Sequence, residues 1–359
     1  MATVPPMTSM TAMPTRITDL LALGVARVVA PELLYRPRSA DDSYDLDYQS
    51  YSEYLQGAIN SGSPFVSARL GSTEALNCLA YLRFRAAGER SSTGGGSPQN
   101  APHTAPHTAS KTPWQQRLLR PVVPSLQTFS GVFPSDQQTV DDFCWLYLDA
   151  LSSVDVLASW IQQEDALADY FSAPQRVFLE DIVPFVGDNP WTSALAGKRV
   201  LVIHPFKQSI EQQYARRKLL FADPRVLPAF DLIAYQAVQS LGGQEESVHF
   251  CNWFAALQHM QDDIADIDFD VAIVGCGAYG LPLAAHIKQL GKPAIHLGGV
   301  TQCLFGIKGK RWEEQYDWDT RYFNQYWVYP AENERPSNAD AVEGACYWGD
   351  TAAESTPAA

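Results

Sequence analysis

The first residues whose types and spacing suit chemistry lie in RLGSTE, at positions 69–74, between a predicted strand (SPFVSARLG) and a predicted helix (TEALNCLAYLRFR). An arginine at a strand end is costly to bury unless an anion or a carboxylate approaches it. A glutamate at a helix N-terminus is stabilised by the helix dipole even without a function, and that alternative stays open. The combination nevertheless favours a ligand site, containing Arg69, Gly71, Ser72 and Glu74.

A second group follows the predicted strand KRVLVIHPF. In an open α/β sheet, ligands bind outside the carboxyl ends of the strands. We therefore predict that His204 and Lys207 contact a phosphate or a sugar hydroxyl, while Ser209 caps the next helix or faces the anion. The alternative for His204 is a buried imidazole that is satisfied by the backbone.

A third group is GCGAYG at 275–280, which matches the glycine-rich pattern of a phosphate-binding loop between a strand and a helix. A dinucleotide site also needs an acidic residue at the end of the next strand, where this chain has AIHLGG. The pattern therefore favours a ligand-binding loop that includes Gly275, Gly277 and Tyr279. Two alternatives remain: a nicotinamide or flavin site, and glycines that only permit close packing of the helix on the strand.

The fourth group begins at the exit of the strand AIHLGG and continues into the densest cluster of cations in the chain. Lysine and arginine pair strongly with phosphate oxygens, so a diphosphate is a suitable ligand; charges on a solvated loop are the alternative. Aromatic residues between 312 and 327 could stack on a base or a sugar, although core packing is more common. The predicted binding residues are Gly298, Gly299, Gln302, Lys308, Lys310 and Arg311.

Composition restricts the partners of this site. The chain has 359 residues, with 26 basic and 40 acidic side chains and a net charge of −14. Binding to nucleic acid needs a basic face that neutralises phosphates, so this balance argues against nucleic acid and against a basic patch for anionic lipid. The six cysteines include no CxxC pair, and the first residues lack the basic segment and apolar run that are typical of a signal peptide. We expect a reduced, cytoplasmic protein.

No run of apolar residues reaches the length of about 20 that a membrane-spanning helix needs. The stretch 16–30 is predicted to form a core-facing helix, with a peripheral amphipathic helix on a membrane surface as the alternative. Residues 1–14 are expected to be disordered.

The strands and helices that must position these groups alternate along the chain, which is typical of a doubly wound, mostly parallel α/β sheet. We predict one domain over residues 15–330, whose most regular β-α repeats span 197–330. Within it, 88–113 is a low-complexity loop and 114–175 a helical insertion. Residues 331–359, rich in Asp, Glu, Pro and Ala, are predicted to be a tail.

At these motifs the chain resembles the GT-D-fold glycosyltransferases, a Rossmann-like group that acts on bacterial surface polysaccharides and glycoproteins. The resemblance covers about residues 50–330 without 88–113. It rests on the strand-RxGxxE-helix unit (Arg69, Gly71, Glu74), on VAIVGCGAYG, and on the glycine pair of IHLGG. It implies a nucleotide-diphosphate-sugar donor and a glycan or lipid-linked acceptor.

The family signature, RxGDGE, has an Asp-x-Glu pair that helps to hold a divalent metal on the diphosphate. Ser72 replaces that Asp here, whereas Glu74 matches the family residue. The resemblance therefore implies that Glu74 either binds Mn²⁺ or Mg²⁺ together with the phosphates or acts as the base. His204 is the other candidate base. A nicotinamide-dependent oxidoreductase and a non-catalytic nucleotide- or sugar-binding relative are the rival functions.

Overall fold

The computed structural model describes residues 35–92, 122–243 and 249–349. They form a doubly wound, Rossmann-like α/β fold around a seven-stranded sheet, in which all strand pairs are parallel and the order is β3-β2-β1-β7-β6-β4-β5. The sheet is parallel throughout, as the alternating pattern predicts. The strands are β1 Val66–Arg69, β2 Val156–Ser159, β3 Gln175–Phe178, β4 Arg199–His204, β5 Asp231–Gln236, β6 Val271–Val274 and β7 Ala294–His296.

Helices cover both faces of the sheet, and short apolar strands such as VAIV are consequently buried on both sides. The described helices are α1 Tyr48–Ser61, α2 Ser72–Ser92, α3 Val122–Ser130, α4 Gln137–Leu151, α5 Lys207–Ala215, α6 Trp253–Ala265, α7 Gly280–Gln289, α8 Thr301–Leu304, α9 Lys310–Glu314 and α10 Trp318–Arg321.

Two hydrophobic cores lie on the two faces. One contains buried side chains of α2, α4, α6 and α7, and the other contains those of α1, α5 and the chain that follows β7. The chain therefore leaves β1 towards one face and leaves the neighbouring β7 towards the other. Such a divergence opens a crevice at the carboxyl ends of the two strands, where ligands of this fold class bind.

The region predicted as a helical insertion, 114–175, instead contains an internal strand of the sheet. β2 pairs with β1 through Ser67 and Val156, and with β3 on its other side. The helical periodicity of α4 ends at Leu151, and only four residues separate it from the strand. A strand of four residues, VLAS, is too short to be distinguished from a helix by periodicity.

The predicted tail is also different in the structure, because residues 331–349 pack against the fold. We call these residues the C-terminal segment. Its buried side chains include Val342, Cys346 and Trp348, and the Trp348 indole donates to the Glu334 carbonyl. The anchors are isolated and have no regular spacing, so a sequence pattern does not reveal them.

Several predictions concern residues outside the described ranges: disorder at 1–14, the helix at 16–30, and the part of the low-complexity stretch from 93 onward. The first residues of that stretch, 88–92, continue α2. All six cysteines are free thiols, and five are buried. In the described ranges, no helix is both long and apolar enough to span a bilayer.

Candidate functional site

Arg69 ends β1 and lies in the crevice between β1 and β7. Its guanidinium lies over the Trp160 ring, 4.9 Å from the ring centroid. Its side chain also runs so close to the exit of β7 that a Cβ on Gly298 would lie 3.0 Å from the Arg69 Cδ. Gly298 has a φ of +65°, in the left-handed region. Glycine at 298 thus permits both the turn and the close approach of the arginine.

The Arg69 guanidinium is not neutralised by a carboxylate in the described ranges. Its Nε is buried and has no hydrogen-bond partner there. Burial and, to a smaller extent, the charge of Arg69 lower the pKa of the nearby His296 to about 4. His296 is therefore neutral at pH 7 and forms no second charge beside Arg69. A half-buried, unpaired arginine favours an anionic ligand.

Glu74, in the first turn of α2, folds back over the loop that follows β1. Its Oε1 accepts a hydrogen bond from the Ser130 hydroxyl at 2.7 Å, and a Cβ on Gly71 would lie only 1.8 Å from its Oε2. Gly71 is therefore needed for this position of the carboxylate. Glu74 and Arg69 both influence the buried Tyr147 hydroxyl, whose pKa is raised by burial first, raised further by Glu74 and lowered by Arg69. The two charged residues of the motif thus lie near one another.

The metal implied by the family resemblance needs more ligands than this group supplies. No cluster of three or more His, Cys, Asp or Glu residues occurs in the described ranges. Glu74 already binds Ser130, and Ser72, half-buried at the start of α2, offers a neutral hydroxyl in place of a carboxylate. The described donors do not fit a metal site of their own, because Mg²⁺ and Mn²⁺ prefer carboxylate and phosphate oxygens.

His204 is not placed to act as a base. It is buried, and its Nδ1 accepts a hydrogen bond from the Phe206 N–H at 3.0 Å. Burial lowers the pKa of His204 to about 3, so the imidazole stays neutral and does not take up a proton near pH 7. These observations favour the alternative, a buried histidine satisfied by the backbone, over the predicted catalytic role.

The anion at the N-terminus of α5 is the carboxylate of Glu334. This buried side chain accepts hydrogen bonds from the Gln208 N–H at 2.7 Å, from the Ser209 N–H at 3.3 Å and from the Ser209 hydroxyl. Ser209 therefore binds the C-terminal segment and does not face a ligand. Lys207 lies half-buried in the same first turn.

Packing accounts for most of the glycine-rich loop after β6. A Cβ on Gly275 would lie 2.4 Å from the Thr301 hydroxyl, and one on Gly280 would lie 2.1 Å from the His296 ring. Tyr279 stacks on Trp253 in the core, with ring centroids 4.7 Å apart. Gly277, with a φ of +59° and open space beside it, is the loop residue that remains accessible. The packing alternative thus explains Gly275 and Gly280, and Tyr279 is a core residue.

The predicted cation cluster separates into different environments. Lys308 lies over the Tyr329 ring at 4.9 Å, while the Lys310 ammonium donates to the Gly344 carbonyl. Arg311 forms an ion pair with Glu343 at 2.6 Å and donates to the Tyr347 hydroxyl. The three cations therefore do not converge on one ligand.

Arg311 is the member of that cluster that shares neighbours with Arg69. Burial raises the pKa of Tyr347, whereas the positive charges of Arg311 and, to a smaller extent, Arg69 lower it. The pKa of Tyr316 is also raised by burial and lowered by the same two arginines. Gln302 is buried, and its side-chain amide donates to the backbone carbonyls of Lys308 and Tyr347. Its Nε2 therefore positions the loop, while its Oε1 is buried and has no hydrogen-bond partner in the described ranges.

We call Arg69, Trp160, Gly298, Tyr316 and Tyr347 the Arg69 site. Gly299 belongs to its wall, because a Cβ there would lie 2.6 Å from the Tyr347 ring. No protein-family model, curated protein or solved structure matches the chain. The chemistry of these residues must therefore carry any functional inference.

Of the aromatic side chains of this site, the sequence indicates Tyr316, within the aromatic run 312–327, but not Trp160 or Tyr347. Trp160 follows β2, and its indole donates to the Leu70 carbonyl at 2.7 Å, which fixes the ring beside Arg69. Tyr347 belongs to the segment predicted as a tail. The position of Trp160 directly after a strand could have indicated a site residue. However, this strand lies within 114–175, which the sequence pattern predicts to be a helical insertion. Tyr347 had no comparable signal.

Cavity volume does not single out the Arg69 site. A cavity of about 230 Å³ lies beside α5, lined by residues such as Gln212 and Tyr329, and one of about 100 Å³ lies beside Phe221. Neither is lined by Arg69. Charge and burial, rather than enclosed volume, distinguish the crevice between β1 and β7.

Proposed function

We propose that this protein is a glycosyltransferase that takes a sugar from a nucleotide-diphosphate sugar and transfers it to a surface polysaccharide or another glycoconjugate. The observation that supports this proposal most is the half-buried Arg69 guanidinium, whose buried Nε has no partner in the described ranges. It lies at the carboxyl end of a parallel strand, where the chain diverges from its neighbour. This is the position at which nucleotides bind in doubly wound sheets.

A diphosphate suits the Arg69 site for two reasons. A guanidinium can donate two parallel hydrogen bonds to phosphate oxygens, and a partly buried pair is screened less by water than an exposed one. The Trp160 ring lies beside the Arg69 guanidinium, and Tyr347 is close enough for Arg69 to affect its pKa; aromatic rings of this kind suit a sugar or a base. Arg311 adds a second positive charge near Tyr347, although Glu343 partly neutralises it.

The chemistry requires a leaving group and a base. The C–O bond between the sugar and the diphosphate breaks, and the nucleoside diphosphate leaves with the electron pair, stabilised by Arg69. The acceptor hydroxyl oxygen forms the new bond to the sugar and loses its proton to Glu74. Glu74 is suited to this role because Ser130 holds its Oε1 in a fixed position beside the loop that carries Arg69. No step in this scheme passes through a metal ion.

The proposal is tested first by a thermal-shift screen of UDP-, GDP- and dTDP-sugars, with and without Mn²⁺. Arg69→Ala should weaken binding of the stabilising nucleotide about 10- to 100-fold, because one desolvated charge pair is lost. Arg225→Ala, which removes an exposed arginine paired with Asp223, is the matched control and should bind normally. No stabilisation by any nucleotide, or equal binding by the two variants, contradicts the proposal.

Catalysis is tested separately with Glu74→Gln. Removal of the base should lower sugar transfer and donor hydrolysis at least about 100-fold while nucleotide binding persists. Unchanged turnover would exclude Glu74 as the base. A wild-type protein that binds a nucleotide sugar but never transfers or hydrolyses it would be a non-catalytic binding protein, which refutes the transferase.

A further inference from the structure

A second buried charged atom without a partner lies at the same edge of the sheet as Arg69. Glu180 follows β3 in the short helix Leu179–Ile182. Its side chain is half-buried, and its Oε1 is fully buried with no hydrogen-bond partner in the described ranges. A buried carboxylate oxygen without a donor costs free energy, so its presence needs an explanation.

Glu180 and Arg69, which lie at the ends of different strands, both affect the pKa of the same phenol. Burial raises the pKa of Tyr316; Arg311 lowers it, Glu180 raises it, and Arg69 lowers it. Glu180 and Arg69 nevertheless form no ion pair with each other. In the sheet order, β2 separates their strands, and Trp160 at the end of β2 lies under Arg69. Two opposite charges thus lie close enough to affect one phenol without forming an ion pair with each other.

The groups that face Glu180 do not satisfy it. Burial raises the pKa of Glu180, the neighbouring Asp181 raises it further, and Arg321 lowers it. Tyr322 is also close enough to be influenced by this carboxylate. However, neither Arg321 nor Tyr322 makes an ion pair or a hydrogen bond to Glu180 in the described ranges. The carboxylate is therefore held near one cation and two phenols with a free acceptor oxygen.

We propose that Glu180 accepts a hydrogen bond from a hydroxyl group of the sugar whose diphosphate is bound by Arg69. This inference rests on the proposed function and extends it, because it assigns the sugar side of the donor to the β3 end of the crevice. A carboxylate forms a strong, charge-assisted bond with a hydroxyl donor. A ligand with an anionic group at one end and hydroxyl groups at the other would satisfy both unpaired atoms at once.

The test compares two ligands that differ only in the sugar: the nucleotide sugar identified by the thermal-shift screen and the same nucleoside diphosphate without it. Glu180→Gln should weaken binding of the nucleotide sugar about 10-fold and leave the affinity for the nucleoside diphosphate within twofold. Asp181→Asn is the matched control. It removes one carboxylate from the same short helix, on the side near Tyr44 and Asp47, and should change neither affinity. Isothermal titration calorimetry gives the affinities, and thermal unfolding confirms that each variant folds.

The outcomes separate the two proposals. If Arg69→Ala weakens both ligands while Glu180→Gln affects both equally or neither, the inference is wrong and the proposed function stands. An Asp181→Asn loss equal to that of Glu180→Gln also overturns it. If the wild-type protein binds no nucleotide, the proposed function fails. The affinities for glucose 1-phosphate and for inorganic phosphate then test Glu180 in the same way. Identical effects of Glu180→Gln on these two affinities would refute the role of Glu180 in binding a sugar hydroxyl.

Discussion

Replacement of Glu334 by Gln should destabilise the fold, because Glu334 connects the C-terminal segment to α5. Its carboxylate accepts from two backbone N–H groups and from the Ser209 hydroxyl, and the Ala331 N–H donates back to that hydroxyl at 2.9 Å. The substitution keeps the volume but removes the charge. It also points an amide NH₂ group at donors that have no other acceptor in the network.

The expected loss is at least about 3 kcal/mol, with each of the two lost hydrogen bonds taken at the lower end of its range. Hydrogen bonds to a charged group contribute roughly 1.5–3 kcal/mol each, and the glutamine oxygen can retain one of them, to the Gln208 N–H. The interaction of the carboxylate with the helix dipole adds up to about 1 kcal/mol. Two donors on Ser209 then lose a charged acceptor, which gives most of the total.

Urea unfolding followed by tryptophan fluorescence and circular dichroism measures this loss as a change in the free energy of unfolding. Glu332→Gln is the matched control, since Glu332 is exposed in the same short helix and its replacement should cost less than about 0.5 kcal/mol. A double-mutant cycle with Ser209→Ala should give a coupling free energy of about 1–2 kcal/mol. Equal stability of the Glu332 and Glu334 variants, or a coupling near zero, would refute the idea that this carboxylate fixes the segment.

Two further predictions concern the strand ends. Gly298→Ala should weaken pyrophosphate binding about 10-fold, because the added Cβ would press on the Arg69 side chain. Gly291→Ala, also at positive φ but in open space, is the control and should lower only the stability. Equal pyrophosphate binding by the two variants in calorimetry would contradict this prediction. The pKa of His204 is 6.5 in the unfolded chain and about 3 in the folded protein. At a pH between these two values the unfolded chain binds a proton that the folded protein does not, so the free energy of unfolding should fall as the pH falls. His204→Asn should reduce this dependence by up to about 1.4 kcal/mol per pH unit in urea unfolding at pH 7, 6 and 5, and an unchanged slope would contradict the buried neutral imidazole.

Local pattern was sufficient for several elements of the site. The unit that carries Arg69 and Glu74 was predicted from one apolar run, a glycine and a helical stripe, and the structure has β1 and α2 at those positions. Gly71, which lies between the two charged residues, could be identified from the sequence as a loop glycine. The reason why a glycine is required at this position could not. That reason is the Glu74 side chain folded across it, which depends on a hydrogen bond from Ser130, a residue far away in the sequence.

Other roles depended on partners that no local pattern identifies. Ser209 was predicted at an anion site, and an anion is indeed bound there, but it is Glu334 from a segment predicted to be a tail. Tyr279 lies in a loop with a phosphate-binding pattern, yet it stacks on Trp253 because α6 packs beside α7. Glu180 carried no sequence signal, since its significance lies in an unsatisfied atom and not in a motif.

The sequence by itself determined the class of the fold and the edge at which chemistry is expected. Buried apolar strands that alternate with helices make their backbone hydrogen bonds in a parallel sheet that is covered on both faces. The carboxyl ends of such strands lie together at one edge of the sheet. Only the tertiary structure decided which of the polar residues at that edge remain unpaired. Whether a charge is available to a ligand depends on what the rest of the chain brings to it: Glu334 reaches Ser209, Glu343 reaches Arg311, and no carboxylate in the described ranges reaches Arg69.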